Sequence, residues 1–202
     1  MQAVVSKIPI DRYLTIEQQG DVCLEYHHGS LYVKPSGAIN HARLCGTVSY
    51  LLYRESKQQN TYQTFGSGMK IEVERAGRYV YPDATAVRTP LVESDVIIGS
   101  IANPTVIVEV LSKESGNYDR GPKMRYYLSL PSVREYLLIE QDRPAVSLYR
   151  RRASGNLGSF HYADGLEDSI ELESIGVTIG LAELYADINF PSPDQPIPGR
   201  LL

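Results

Sequence analysis

Short apolar blocks rich in Val, Ile and Tyr recur along the chain, separated by Gly, Asn, Asp and Pro, and only a few stretches keep helical spacing instead. Residues 11–19, DRYLTIEQQ, predict a short helix, and DVCLEY, HHGS and LYVKP predict the strand, turn and strand of a hairpin. A long helix is predicted next, with Asn40 as its N-cap and Leu44, Val48, Leu51, Leu52 and Glu55 at helical steps, so that an apolar stripe faces a sheet. TYQTF, MKIEVE and YVYPDATAV read as strands, with RAGR turning between the second and third, and a more polar crossover leads to TVIVEVLS, residues 105–112. These strands are expected to form the middle of the sheet. A second helix is predicted from about Arg120 to Leu130, with Pro122 tolerated because it falls in the first turn. VREYLLIE and AVSLYRR make two more strands, and LAELYADI a short helix. FPSPDQPIPG is too rich in proline to pack as regular structure and reads as a tail. With no internal repeat, the alternation of helix and strand predicts an α/β chain of mixed α+β character, a central mixed sheet flanked by helices. We expect a single domain over residues 1–190 and a proline-rich tail over 191–202.

Composition narrows the class. With 202 residues, 43% hydrophobic and 22% charged, the chain can bury one sizeable core. Cys23 and Cys45 have neither metal-ligand pair spacing nor a disulfide framework, and the N-terminal segment lacks a signal peptide's apolar block, so a reducing cytoplasm is the expected setting. No stretch approaches the roughly 18 apolar residues of a membrane span, and no membrane partner is expected. A net charge of −4 argues against binding nucleic acid by bulk charge, so any such contact must be local.

One residue breaks the pattern. Glu109 stands inside TVIVEVLS, a run that otherwise reads as a strand buried on both faces, where an ionised carboxylate without a partner costs several kcal/mol or takes up a proton. It could face outward from an edge strand, pair with a buried arginine, or serve a site. A second acid, Asp83, follows proline in YVYPDATAV; alone, Pro-Asp marks a turn or strand irregularity. Together, two acids on neighbouring strands aimed at one point make an oxygen-rich site for Mg²⁺ or Mn²⁺, and the ion compensates both charges. Lys123 adds a cation from DRGPKMRYY, where Asp119, Lys123 and Tyr127 share a helical face directly after the Glu109 strand; the plainer reading is a solvated lysine in a weak exposed pair with Asp119. Glu25, in the first hairpin, is a third candidate metal ligand, though a half-exposed strand glutamate is the simpler account. His41 reads as a structural or surface histidine, since imidazole suits zinc better than magnesium, and His27 and His28 occupy a turn. Arg150, Arg151 and Arg152 read either as a phosphate-contacting patch or as a solvated strand end.

Asp83 in YPDATAV, Glu109 in VIVEVLSKES and the stretch DRGPKMRYYLSLPSVREYLLIE resemble the signature of the Uma2 family of endonuclease-like proteins, as do Glu25, Gly29 and His41 in LEYHHGSLYVKPSGAINH and the terminal GLAELY. The resemblance implies a restriction-endonuclease-like core of the PD-(D/E)XK superfamily, with Asp83 and Glu109 as ligands of Mg²⁺ or Mn²⁺ and DNA as the nucleic-acid partner. The parent motif has its lysine two residues after the second acid, on the same strand face, and that position here is Leu111. Lys123 from the helix is the expected substitute, giving Asp83, Glu109 and Lys123 as the catalytic set for phosphodiester hydrolysis. Cutting both strands would suit a homodimer. The rival expectation is a decayed nuclease fold that binds nucleic acid or protein without catalysis, favoured by Leu111 and the acidic net charge.

Overall fold

The structure of the protein is a computed structural model. It describes residues 7–20, 23–34, 38–74, 77–152 and 157–190. In chain order the elements are α1 (Ile10–Gln19), β1 (Leu24–His27), β2 (Ser30–Val33), α2 (Ile39–Gln59), β3 (Tyr62–Gly66), β4 (Lys70–Glu74), β5 (Arg78–Val80), β6 (Ala84–Arg88), β7 (Ser100–Ile101) and β8 (Val106–Leu111). There follow α3 (Gly116–Tyr118), a π-helical segment (Asp119–Lys123), α4 (Met124–Ser129), β9 (Glu135–Glu140), β10 (Ala145–Arg151), β11 (Leu157–Asp164), β12 (Ser169–Leu172), β13 (Val177–Gly180) and α5 (Leu181–Leu184).

The mixed-sheet fold class is as expected, but the strands divide between two main sheets. Six strands run β11-β10-β9-β8-β6-β3 and five run β2-β1-β5-β4-β7, with β12 and β13 as a separate hairpin. In the six-stranded sheet β8 lies parallel to β9 and antiparallel to β6. Every residue of β8 is buried. Val106, Val108 and Val110 pack with Leu44, Val48, Leu51 and Leu52 of α2, while Ile107 and Leu111 join Val80, Tyr127, Tyr136 and Leu138 on the other face. A central strand covered on both faces needs a continuous apolar run rather than alternation, which is what residues 105–112 supply.

YVYPDATAV is not one strand. Pro82 has no N–H to give a ladder, and here the chain leaves β5 in one sheet for β6 in the other. The corner ends at Asp83, whose N–H donates to Val108 O at 3.0 Å. The β1–β2 hairpin turns on His28 and Gly29, both at positive φ (47° and 92°), the two-residue turn that matches strand twist.

Two helix boundaries differ from expectation. Ala38, not Asn40, precedes α2, and Asn40 donates from its side chain to Asn189 O at 3.0 Å. The helix carrying Lys123 begins a turn earlier than expected, at Gly116, which puts Pro122 in its interior. A proline there removes a backbone donor and crowds the preceding turn, and the helix accommodates it by widening to π geometry over Asp119–Lys123.

Two arginines of the run are tied into the fold, while Arg152 is exposed. Arg150 donates to Glu135 Oε1 at 2.9 Å and Arg151 to Val133 O at 2.9 Å. Glu135, fully buried, also accepts the N–H groups of Glu173 and Ser174, each at 3.0 Å, fastening the β12–β13 hairpin to the large sheet. The proline-rich tail lies outside the described residues, and among the described residues no helix is long and apolar enough to cross a membrane.

Glu135→Ala should therefore destabilise the protein by about 3 kcal/mol, the lower end for a broken buried pair because Arg150 keeps Glu173. Urea denaturation measures it; a change under about 0.5 kcal/mol, the range of ordinary surface substitutions, would mean that the fastener carries no weight.

Candidate metal centre

Continuing the β6–β8 register from Ala84↔Val108 by one residue sets Asp83 opposite Glu109. Directly opposed residues on antiparallel strands face the same way with Cβ atoms about 4.5–5.5 Å apart. The backbone locks this placement, because Asp83 N–H donates to Val108 O while its Oδ2 accepts from Val110 N–H at 2.8 Å. Asp83 thus grips the residues on both sides of Glu109. Both carboxyl groups are 2% exposed.

Glu25 and Lys123 complete the cluster. The simple account of Glu25 as a half-exposed strand residue fails: it is 1% exposed and accepts hydrogen bonds from Tyr118 Oη at 3.0 Å and Tyr81 N–H at 3.3 Å. Nor is Lys123 a surface charge. It is 3% exposed, and its ammonium donates to Tyr81 O at 2.9 Å and lies 2.8 Å from Glu109 Oε1, 3.4 Å from Glu25 Oε1 and 3.8 Å from Asp119 Oδ1. Asp119, too, is buried, so what sequence spacing offered as a weak exposed pair is part of a buried network. Leu111, in the position of the parent motif's lysine, is packed in the apolar cluster on the Glu109 side of the sheet.

Three residues that carried little weight in the sequence line the rim. Lys34 reaches Asp83 Oδ1 at 2.9 Å and Pro82 O at 3.0 Å. His41 Nε2 stands 3.4 Å from Asp83 Oδ2, which brings the histidine expected to be structural or on the surface beside the cluster. His27 Nε2 is 3.3 Å from Glu25 Oε2 and 3.2 Å from Tyr118 Oη. No local signal marks Lys34 or Tyr118, since their meaning arises only when the end of β2 meets Asp83 and the end of α3 meets Glu25 on β1. His27 and His41 were visible as residues but not as neighbours of acids.

The electrostatics favour a cation. Four carboxyl groups, Glu25, Asp83, Glu109 and Asp119, share the ammoniums of Lys123 and Lys34. Burial pushes the Glu109 carboxyl well above the usual range, against the pull of Lys123 and with the help of Asp83 and Asp119. Burial likewise raises Asp119. Burial also acts to raise Glu25, but Lys123, His27 and the Tyr81 N–H outweigh it and hold that carboxyl at about 2. Asp83 is held low against burial by His41, Lys34 and Lys123. Burial works against the charge on Lys123, but the surrounding carboxylates hold its pKa well above the ordinary lysine value. Asp83 Oδ1 and Glu109 Oε1 touch ammoniums yet accept no hydrogen bond. Buried, hydrogen-bond-free carboxylate oxygens in a cluster with more carboxyl groups than ammoniums are the donor set of a hard divalent ion such as Mg²⁺ or Mn²⁺.

Mixed sheets flanked by helices, as found here, make up the restriction-endonuclease-like fold. A crystal structure described as that of "a putative nuclease belonging to DUF820" from Anabaena variabilis has the same fold, with a TM-score of 0.69 at 17% identity over 89% of this chain and 98% of that one. The chain belongs to the Uma2 family, described as "Putative restriction endonuclease", whose model matches residues 10–182. It is also similar to two proteins of Synechocystis sp. One, slr1290, is 27% identical over 184 residues, 91% of this chain and 94% of that protein. The other, sll1609, is 30% identical over 139 residues, 69% and 78%.

In metal-free protein the cluster should show opposite responses to its two central groups. Lys123→Met removes the shared cation and should cost about 3–5 kcal/mol, as for other broken buried pairs. Glu109→Gln, which removes a buried charge at constant shape, should leave stability unchanged or raised. Denaturation in EDTA measures both, and a Glu109→Gln loss as large as that of Lys123→Met would show that the carboxylate is an obligatory structural partner.

Proposed function

We propose that the protein is a metal-dependent endonuclease that hydrolyses phosphodiester bonds in DNA. The observation that carries this reading is the register opposition of Asp83 and Glu109, two buried carboxylates with hydrogen-bond-free oxygens, Glu109 in contact with Lys123 and Asp83 with Lys34. Asp83 and Glu109 would hold Mg²⁺ or Mn²⁺, with Glu25 as the third acid. Such an ion, when bound, supplies Lewis acidity to a coordinated water and to the scissile phosphate.

The chain's own residues do the positioning. The Asp83 carboxylate is fixed by the Val110 N–H and Glu25 by Tyr118 and Tyr81, so both are aimed before any ion arrives. Lys123, anchored on Tyr81 O, keeps a full positive charge where the acids converge; it orients the attacking water or stabilises charge gathering on the phosphoryl oxygens. Lys34 is only partly buried and is suited to meet an incoming phosphate at the rim. A local cation of this kind reconciles nucleic-acid binding with the overall charge of −4. The reading of a decayed nuclease rests on Leu111 standing where the parent motif has lysine, and its mark would be DNA binding without metal binding.

Purified protein incubated with double- and single-stranded DNA and with RNA should cleave DNA in Mg²⁺ or Mn²⁺ and not in EDTA. Glu109→Gln and Asp83→Asn should lose both Mn²⁺ binding and cleavage. Lys123→Ala should slow cleavage about 100-fold or more, the scale of losing a group that stabilises transition-state charge, with a much smaller change in DNA affinity. Adding Leu111→Lys to Lys123→Ala should recover part of the rate, because residue 111 shares the face of Glu109, once melting curves show the double variant folded. Cleavage unaffected by EDTA, or a folded Lys123→Ala as fast as the parent, overturns the mechanism.

A further inference from the structure

We propose that His41, Cys45 and Asp83 form a second metal site, selective for Zn²⁺ over Mg²⁺, which overlaps the hard-ion site through Asp83 and excludes the ion bound there. One ligand atom from each of these three residues lies within 4.8 Å of the others. His41 and Cys45 are four residues apart on α2, so they project from one helix face. Neither cysteine pairs with the other in sequence, which is why spacing alone gave no metal motif; the partner of Cys45 is a histidine one turn away.

The ligand atoms are close enough for a rotation of the His41 ring to gather them on one tetrahedral ion. Cys45 Sγ to His41 Nδ1 is 3.5 Å and His41 Nε2 to Asp83 Oδ2 is 3.4 Å. With Zn–S of about 2.3 Å and Zn–N and Zn–O of about 2.0–2.2 Å, tetrahedral edges come to roughly 3.3–3.6 Å. Bringing a single imidazole nitrogen to face both neighbours takes side-chain rotation, not a new backbone. The charge on Asp83 is already in place, with Oδ2 turned to His41 while Lys34 contacts Oδ1. Sulfur and imidazole donors favour Zn²⁺, whereas the oxygens of Glu25 and Glu109 favour Mg²⁺ or Mn²⁺. Three protein ligands leave the fourth position to water. Binding replaces the Cys45 thiol proton, which leaves to solvent, so the site gains a thiolate and the ion together.

Asp83 is common to both sites, and its Oδ2 faces His41 and accepts from Val110 N–H while Lys34 contacts Oδ1, so drawing Oδ2 onto Zn²⁺ leaves the hard ion only the oxygen that Lys34 holds. Zn²⁺ therefore acts as an antagonist of the hard ion. Metal binding at the trio stands on its own geometry; the overlap rests on the metal-centre reading proposed above.

The test uses the full chain. Co²⁺ added to the parent protein should produce thiolate-to-cobalt absorption in the near ultraviolet, and Cys45→Ser should abolish it. Competition with a chromophoric chelator should show Zn²⁺ affinity falling at least about 100-fold in Cys45→Ser, more than losses of outer-shell partners alone produce. Mn²⁺ affinity should be the same in both proteins, and Zn²⁺ should displace Mn²⁺ from the parent at concentrations that leave it bound to Cys45→Ser. Absence of the cobalt band, or equal Zn²⁺ affinity in parent and variant, overturns the site. Simultaneous tight binding of Zn²⁺ and Mn²⁺ overturns the antagonism. These readouts need no cleavage, so a protein that cuts nothing still decides them.

Discussion

The ammonium of Lys123, buried among carboxylates, is the interaction on which the site depends. Glu109 and Glu25 come from different sheets, and Asp119 from the helical stretch between β8 and β9. What joins them is one positive charge with a hydrogen bond to Tyr81 O. Without it, several acids would be taken out of water with nothing opposite them, a cost that desolvation makes larger than any single contact in the core. The cluster is therefore poised: stable enough to fold with its internal cation, yet rich enough in carboxylate oxygens to draw another.

The rest of the fold can be understood as the means of bringing that charge into place. Pro82 sends the chain from one sheet to the other and leaves Asp83 at the corner, bonded to both neighbours of Glu109. Pro122 widens the helix into π geometry over the five residues that begin with Asp119 and end with Lys123. π segments are uncommon and concentrate at functional sites, because they re-aim side chains that a regular helix would direct elsewhere. Both prolines break a local rule, and both stand next to a residue of the cluster.

Much of this was legible in the chain, for physical reasons. Val106, Val108 and Val110 pack on one side and Ile107 and Leu111 on the other, so a run apolar at consecutive positions announced a doubly covered strand, and Glu109 stood out against it. The Leu44, Val48 and Leu51 stripe of α2 was equally plain. The division into two sheets was not, because YVYPDATAV is apolar throughout and its break is a single proline whose effect depends on which strands wait on either side. Ser169–Leu172 alternates exposed and buried positions and carried a strand signal, but four residues with two acids close by are a weak one. Arg150 looked like a phosphate contact because the acid that neutralises it, Glu135, lies 15 residues away in sequence and meets it only through β9–β10 pairing. Lys34 and Tyr118 were silent for the same reason: their partners are 49 and 93 residues distant.

The central claim is that Asp83 and Glu109, opposed across β6 and β8, hold one divalent ion that displaces Lys123 from Glu109. A crystal structure of the protein grown with Mn²⁺, with anomalous data collected at the manganese edge, tests it most directly. The account predicts a single strong anomalous peak about 2.0–2.6 Å from a carboxylate oxygen of Asp83 and from one of Glu109, with Lys123 displaced from Glu109 Oε1. Mn²⁺ bound elsewhere in the protein, with Lys123 still in contact with both Glu109 and Glu25, would contradict it.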